Sequence, residues 1–288
     1  MKRFIKSNAI LLLVILLLGQ NVFADKFVRQ NNFLNEKSGS ERTAQIKKFQ
    51  AINNLQVDGA LGQRTKDLLY NEELIVYDIV ENPPTKDYWI VVNKSRRSLT
   101  LYKGNAVVQK YAVALGTSET PTPSAKGKIS SKVVNPAWGG MGGKYTPRKA
   151  DDPLNPLGER WLGLDLGKGL SGYGIHGNIV PNSIGKYVSN GCVRMFNYDI
   201  ETEVFPKVGK GTIVWMGTDE ELASWGVRQL VDKQDLNAKP TPEVTPVPNP
   251  NPTTTAETPS EVAPVEEEKI EVVDFDSIYK KENKTSSN

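Results

Sequence analysis

Between Tyr88 and Met216 the chain repeats one texture: short runs of β-branched, aromatic and leucine residues separated by glycine-bearing turns. "YWIVV" and "SLTLY" have strand length, and Leu99 and Leu101 alternate onto one face of the second. Lys103-Gly104-Asn105 turns the chain into a third strand over 106–114, and further strands are predicted over 161–166, 174–175 and 212–216. Strands this short cannot each bury an apolar face, so they must pair around a shared core. A helix is predicted after Asn197, placed to cap it, with Ile200, Val204 and Val208 four apart. Thr218 followed by Glu221 forms a capping box that opens a closing helix over 218–238. Gly139-Gly140 and Gly142-Gly143 flank Met141 in a loop able to move. Residues 85–217 are therefore predicted as a mainly β domain, a sandwich or barrel with few helices.

Both ends differ from this middle. Lys2, Arg3 and Lys6 precede an apolar run from Ala9 to Leu18, and Val22-Phe23-Ala24 follows with small residues at a cleavage site. Ten apolar residues are about half of a bilayer span, so residues 1–24 are predicted as a cleaved export signal. Residues 239–288 hold 8 of the 18 prolines and ten acids against five bases. Such a segment is predicted to stay disordered, with a polyproline-like stalk over 240–252 and a possible partner-binding end around Val272-Val273-Asp274-Phe275. The overall charge of +3 divides into about +3 in the signal, −5 in the tail and +5 in between, too weak an excess to point to nucleic acid. Residues 25–80 form a small helical lobe. Ile46, Phe49 and Ile52 share a face of one helix, Val57-Asp58-Gly59 turns, and a second helix runs over 63–70.

The chemistry-bearing residues are few. A single cysteine excludes an internal disulfide, and a single histidine excludes any metal site with two imidazoles. His176 lies in "GYGIHGNI" and Cys192 sixteen residues later in "VSNGCVRM". A thiol attacks as its thiolate, and a nearby imidazole can take its proton. Gly191 beside Cys192 permits a turn whose successive backbone N–H groups converge, as an oxyanion hole requires. In an exported chain, a lone thiol is either buried and inert or kept for chemistry.

The stretch from His176 to Met195 resembles the signature of the L,D-transpeptidases, the YkuD-like catalytic domain: His-Gly, some fifteen residues, then Ser-x-Gly-Cys-x-Arg. "TPTPSAKGKI", "NPAW", "NPLGERWLGL" and "NYDIETEVFPKVGKGTIVWM" extend the likeness over about 130 residues. "IKKFQAINNLQVDGALGQRTKDLL" resembles about half of a helical peptidoglycan-binding module. The resemblance implies that Cys192 is the acylated nucleophile and His176 its base, with the Gly177 carbonyl orienting the imidazole. It implies Gly191 and the Cys192 amide as oxyanion donors, with Ser189, Asn190, Arg194 and Tyr173 against the substrate. Asn190 stands where many members have His. The implied reaction attacks the diaminopimelate carbonyl of a peptidoglycan tetrapeptide stem, releases D-Ala and passes the acyl group to an amine, with no metal or organic cofactor. That amine is a second stem, an outer-membrane lipoprotein or a free D-amino acid. Water as acceptor would make an L,D-carboxypeptidase or a hydrolase releasing wall-bound lipoprotein, and a non-catalytic wall-binding protein is the remaining alternative. The expected location is the periplasm or cell wall.

Overall fold

The computed structural model describes residues 38–233 apart from 72 and 168. The export signal expected over 1–24 and the Pro-rich acidic tail over 239–288 lie outside the described residues, as do 25–37 and 234–238. In chain order the elements are α1 (Gly39–Ile52), α2 (Gln63–Tyr70), β1 (Leu74–Val80), β2 (Tyr88–Asn93), β3 (Ser98–Lys103), β4 (Ala106–Gly116), β5 (Ala125–Val134), β6 (Arg160–Asp165), β7 (Gly174–His176), β8 (Tyr187–Ser189), β9 (Val193–Met195), β10 (Ile213–Gly217), α3 (Asp219–Ser224) and β11 (Val227–Lys233).

Eight strands close on themselves in the order β3-β2-β10-β5-β6-β7-β9-β4, because β4 pairs back onto β3, and β8 adds to β4 as a ninth. The mainly β, barrel-like architecture with few helices is the expected one. The period-two pattern builds its interior: Ile90 and Val92, Leu99 and Leu101, Val113 and Leu115, Leu162 and Leu164, Val193 and Met195, Val214 and Met216 all meet there. Ile200, Val204, Phe205 and Val208 pack onto the same cluster. Each such side chain, fully buried, contributes roughly 1.5–3 kcal/mol. The alternate residues Trp89, Val91, Tyr102 and Trp215 are buried on the opposite face with Leu222 and Val227. Trp89 stacks on Tyr102 at 4.9 Å and meets Trp215 edge-on at 5.1 Å. With both faces covered, β2 and β3 are buried almost end to end.

Two helical expectations change. The capping box at Thr218 forms, with the Glu221 N–H donating to Thr218 Oγ1 at 3.2 Å and the Thr218 N–H to the Glu221 carboxylate at 2.8 Å. The helix it opens stops at Ser224, however, and residues 227–233 are the strand β11, antiparallel to β1. Gly226, at φ +83°, turns the chain, and Gln229 then reaches the side chains of Asn93, Thr100 and Tyr102, which a continuing helix would not allow. The segment after Asn197 winds as a π-helix over Asp199–Val204 and a 3₁₀ turn over Phe205–Lys207, without a side-chain cap. Asn197 Oδ1 instead accepts the Asn178 N–H at 2.7 Å, nineteen residues back along the chain in a turn beside the barrel.

The lobe built from α1 and α2 packs on the barrel. Ile46, Phe49, Leu55, Leu68 and Leu69 make its own cluster, extended by Leu74, Val76 and Val231 from β1 and β11. Ala51 and Val57 pack with Ala112 and Ala114 of β4. The buried Gln50 holds the Val57-Asp58-Gly59 turn: its Oε1 accepts from the Asp58 and Gly59 N–H groups, and its Nε2 donates to Asp58 Oδ1 at 2.7 Å. A buried ion pair joins lobe strand to barrel, Lys110 Nζ lying 2.5 Å from Asp78 Oδ1, with Asn54 bonded to both and Tyr102 Oη donating to Asp78. Removing one charge leaves the other uncompensated in a buried setting. Asp78→Asn is therefore expected to lower the unfolding free energy by about 3–5 kcal/mol in urea titrations, and Lys110→Met added to an Asp78→Leu chain to restore most of the loss.

Candidate active site

β7 and β9 run parallel, with Ile175 level with Val193 and His176 level with Arg194. Successive strand residues point to opposite faces, so Ile175, Val193 and Met195 enter the barrel core. Gly174, His176, Cys192 and Arg194 fall on the other face. Cys192, just ahead of β9, is level with Gly174, so the sulfur and the imidazole belong to neighbouring strands and stand two residues apart in register. Strand geometry puts their Cα atoms roughly 8 Å apart, which leaves room for two side chains converging on one substrate atom.

The imidazole is held by a backbone carbonyl and by a neighbouring ring. Its Nδ1 lies 2.8 Å from the Gly177 carbonyl oxygen. A carbonyl oxygen has no proton to donate, so Nδ1 carries the hydrogen and Nε2 keeps its lone pair. The Trp161 ring stacks on the imidazole at 5.7 Å and 26°. Space for that indole comes from two glycines facing each other across β6 and β7: a Cβ on Gly174 would stand 2.4 Å from the Trp161 ring, and one on Gly163 2.8 Å from its Nε1. At Gly177 a Cβ would meet Asn197 Oδ1 at 2.5 Å. Asn197, which sequence spacing suggests as a helix cap, is thus part of the support of the histidine turn.

The cysteine turn is braced by Ser189 and Thr122. Ser189 Oγ, fully buried, donates to the Cys192 carbonyl at 2.6 Å and accepts the Gly191 N–H at 3.1 Å. Thr122 Oγ1 donates to the Gly191 carbonyl and accepts the Gly116 N–H, both at 2.9 Å. Gly191 sits at φ +102°, where a Cβ would meet the Tyr173 ring at 2.6 Å. Two expectations shift accordingly. The Gly191 N–H is engaged by Ser189 rather than aimed at a substrate, and Ser189 is an internal brace rather than a pocket wall. Tyr173 packs between Gly191 and the core cluster, and Asn190 is half-buried at the turn.

Burial, reinforced by the Arg194 cation, lowers the His176 pKa to about 3, while the Gly177 and Leu157 backbones act the other way. Burial raises the Cys192 thiol above its ordinary range, opposed by the Gly174 backbone and the Arg194 cation. Cys192 Sγ donates to the Gly172 carbonyl at 3.6 Å. Both shifts favour the uncharged forms, a thiol at Cys192 and a neutral imidazole at His176. Among the described residues no group of three or more His, Cys, Asp or Glu side chains is placed to hold a metal ion.

Trp161 and Thr122 are supporting residues that sequence spacing does not single out, and Asn197 is one that it singles out for a different role. The available signal for Trp161 was a glycine inside each of two strand-forming runs, a mark of close approach by another group.

Gly174→Ala is expected to destabilise the protein by about 1–3 kcal/mol in thermal or urea unfolding, and by much less in a Trp161→Ala background, since the clash is with that indole. For pH, an unfolded His titrates near 6.5 and the folded one near 3, so the unfolded chain binds the proton first and stability falls as pH drops from about 6.5 toward 3. Iodoacetamide alkylation of Cys192 is expected to rise through the alkaline range with no inflection between about pH 6 and 7. An inflection there would show an imidazole that titrates near its ordinary value.

Comparison with known proteins agrees along the chain. The family model of the L,D-transpeptidase catalytic domain (YkuD) matches residues 87–216, the segment that carries the barrel and the whole site. YqjB of Bacillus subtilis (strain 168), which bears the name of an L,D-transpeptidase, is 35% identical over 167 residues, covering 56% of this chain and 90% of that protein. YkuD of the same organism is 33% identical over 187 residues, covering 65% and 94%. The NMR structure of the catalytic domain from the E. faecium L,D-transpeptidase aligns with 24% identity and a TM-score of 0.37, over 46% of this chain and 99% of that one. With about a third of the aligned residues identical along nine-tenths or more of both Bacillus proteins, the chain belongs to the L,D-transpeptidase family.

Proposed function

We propose that the protein is a peptidoglycan L,D-transpeptidase in which Cys192 is the nucleophile and His176 its general base. The observation that carries this reading is the β7–β9 register, which sets the lone thiol and the lone imidazole on one face with Nε2 unprotonated. As Sγ attacks the carbonyl of the L-centred third residue of a tetrapeptide stem, its proton passes to His176 Nε2. The Cys192 N–H stabilises the oxyanion. The bond to the terminal D-Ala then breaks, the proton moves from His176 to the departing amine, and a thioester remains. An incoming amine attacks that thioester, gives its proton to His176, and releases the sulfur, which recovers the proton as a thiol. The amine of a second diaminopimelate yields a cross-link, a lipoprotein lysine an attachment and a free D-amino acid an exchange product.

Such a substrate lies outside the cytoplasm, in keeping with the basic and apolar start of the sequence. Among the described residues no helix is long and apolar enough to cross a membrane. In this reading the helical lobe stabilises β1 and β4 rather than acting as a free wall-binding module, since its apolar side is used against the barrel.

Incubation of purified protein with disaccharide-tetrapeptide, read by mass spectrometry, is expected to give dimers or D-amino-acid exchange products. Cys192→Ala is expected to abolish them, and His176→Gln to slow them by about 10²–10⁴-fold. Tripeptide as the sole product would establish hydrolysis in place of transfer, and turnover that survives Cys192→Ala would overturn the mechanism.

A further inference from the structure

Arg194 is a cation with no ion-pair partner among the described residues. Its position two residues beyond Cys192 puts it on the same face as the thiol and level with His176. Its Nε is fully buried and makes no hydrogen bond. The ion pairs among the described residues use the arginines at 96, 148 and 228 but not this one. Burial lowers its pKa, and the groups that oppose that effect are the Cys192 sulfur and the Tyr145 phenol, not a carboxylate. Arg194 as a whole is half-buried, and its Nε, shut off from solvent without a partner, is an unfavourable arrangement unless something else compensates it. Structural arginines in this same protein are treated differently: Arg96 donates through Nε to Asp219 at 2.8 Å, and Arg97 through Nε to the Val57 carbonyl at 2.7 Å.

We infer that Arg194 receives the terminal carboxylate of the acyl-donor stem, and so selects peptides that end one residue beyond the attacked carbonyl. This rests on the transpeptidase reading above and adds to it the chemical group that the donor must carry. The geometry fits that length. The carboxylate carbon of a terminal amino acid is three bonds from the attacked carbon, and Cα of Arg194 is about 6.6 Å along the strand from that of Cys192. A guanidinium fork suits a carboxylate bidentately, with the strength of a charge-assisted pair. One further residue on the donor would carry the charge out of reach and leave the guanidinium facing a neutral amide. The carboxylate would also neutralise the cation that helps hold His176 unprotonated, raising the imidazole's proton affinity when the thiol proton has to be taken.

The test compares two donors, the disaccharide-tetrapeptide acid and its C-terminal carboxamide, with D-amino acid as acceptor. The natural protein is expected to prefer the acid by about 10–100-fold in kcat/KM. Arg194→Gln is expected to bring the two donors within about threefold of each other by losing the acid, and Arg194→Lys to retain part of the preference. Equal turnover of acid and amide by the natural protein would overturn the inference while leaving the transpeptidase reading intact. An unchanged preference in Arg194→Gln would overturn it too, as would an equal loss on both donors, which would mark Arg194 as acting through Cys192 and His176. Failure of the natural protein on both donors would instead count against the transpeptidase reading itself.

Discussion

The parallel pairing of β7 with β9 is the constraint on which the site depends. Two three-residue strands align so that one set of side chains, Ile175, Val193 and Met195, enters the barrel core. The alternate set, His176 and Arg194, is thereby sent to the opposite face together with Cys192. A slip of one residue in either strand would exchange the two sets, placing a cation in the core and leaving isoleucine or valine beside the thiol. Core burial therefore enforces the register, and the register assembles the chemistry.

What surrounds this pair is mainly backbone and close approach. The imidazole is oriented by a carbonyl, stacked by an indole that fits only because Gly163 and Gly174 lack side chains, and seated on a turn held by Asn197. The cysteine turn is tied by Ser189 and Thr122, both buried, to the end of β4. These bonds rigidify the two loops without adding a second titratable group. The electrostatics of the pair then come from burial and from one cation, and both act to keep the imidazole neutral. The same burial keeps the thiol protonated, so the two groups do not rest as an ion pair.

The helical lobe shows how a chain with a single cysteine, and so no internal disulfide, secures its barrel. α1, β1 and β11 come from opposite ends of the described chain, and β1 pairs with β11 across some 150 residues. The Asp78–Lys110 pair with Asn54, Tyr102 and Gln229 lies beneath that pairing and links it to β3 and β4. Asn54 adopts φ +55°, which asparagine tolerates better than most residues, and so bonds Tyr77, Asp78 and Leu230 at once.

By itself the sequence determined the strand-rich middle, the two helices of the lobe and the capping box at Thr218, and it singled out one cysteine and one histidine as candidates for chemistry. Alternation, turn residues and a unique cysteine and histidine are local signals, readable within a few residues. It did not reveal that 227–233 is a strand, since that segment is extended only because β1, far away in sequence, supplies its hydrogen-bond partner. Nor did it reveal that Asn197 serves a turn nineteen residues earlier, that Ser189 and the Gly191 amide satisfy each other, or that Trp161 covers the imidazole. Each of these is a contact between distant residues whose side chains have several plausible partners on paper. Closure of the barrel selects one partner by placing it within hydrogen-bond or van der Waals reach and burying the rest.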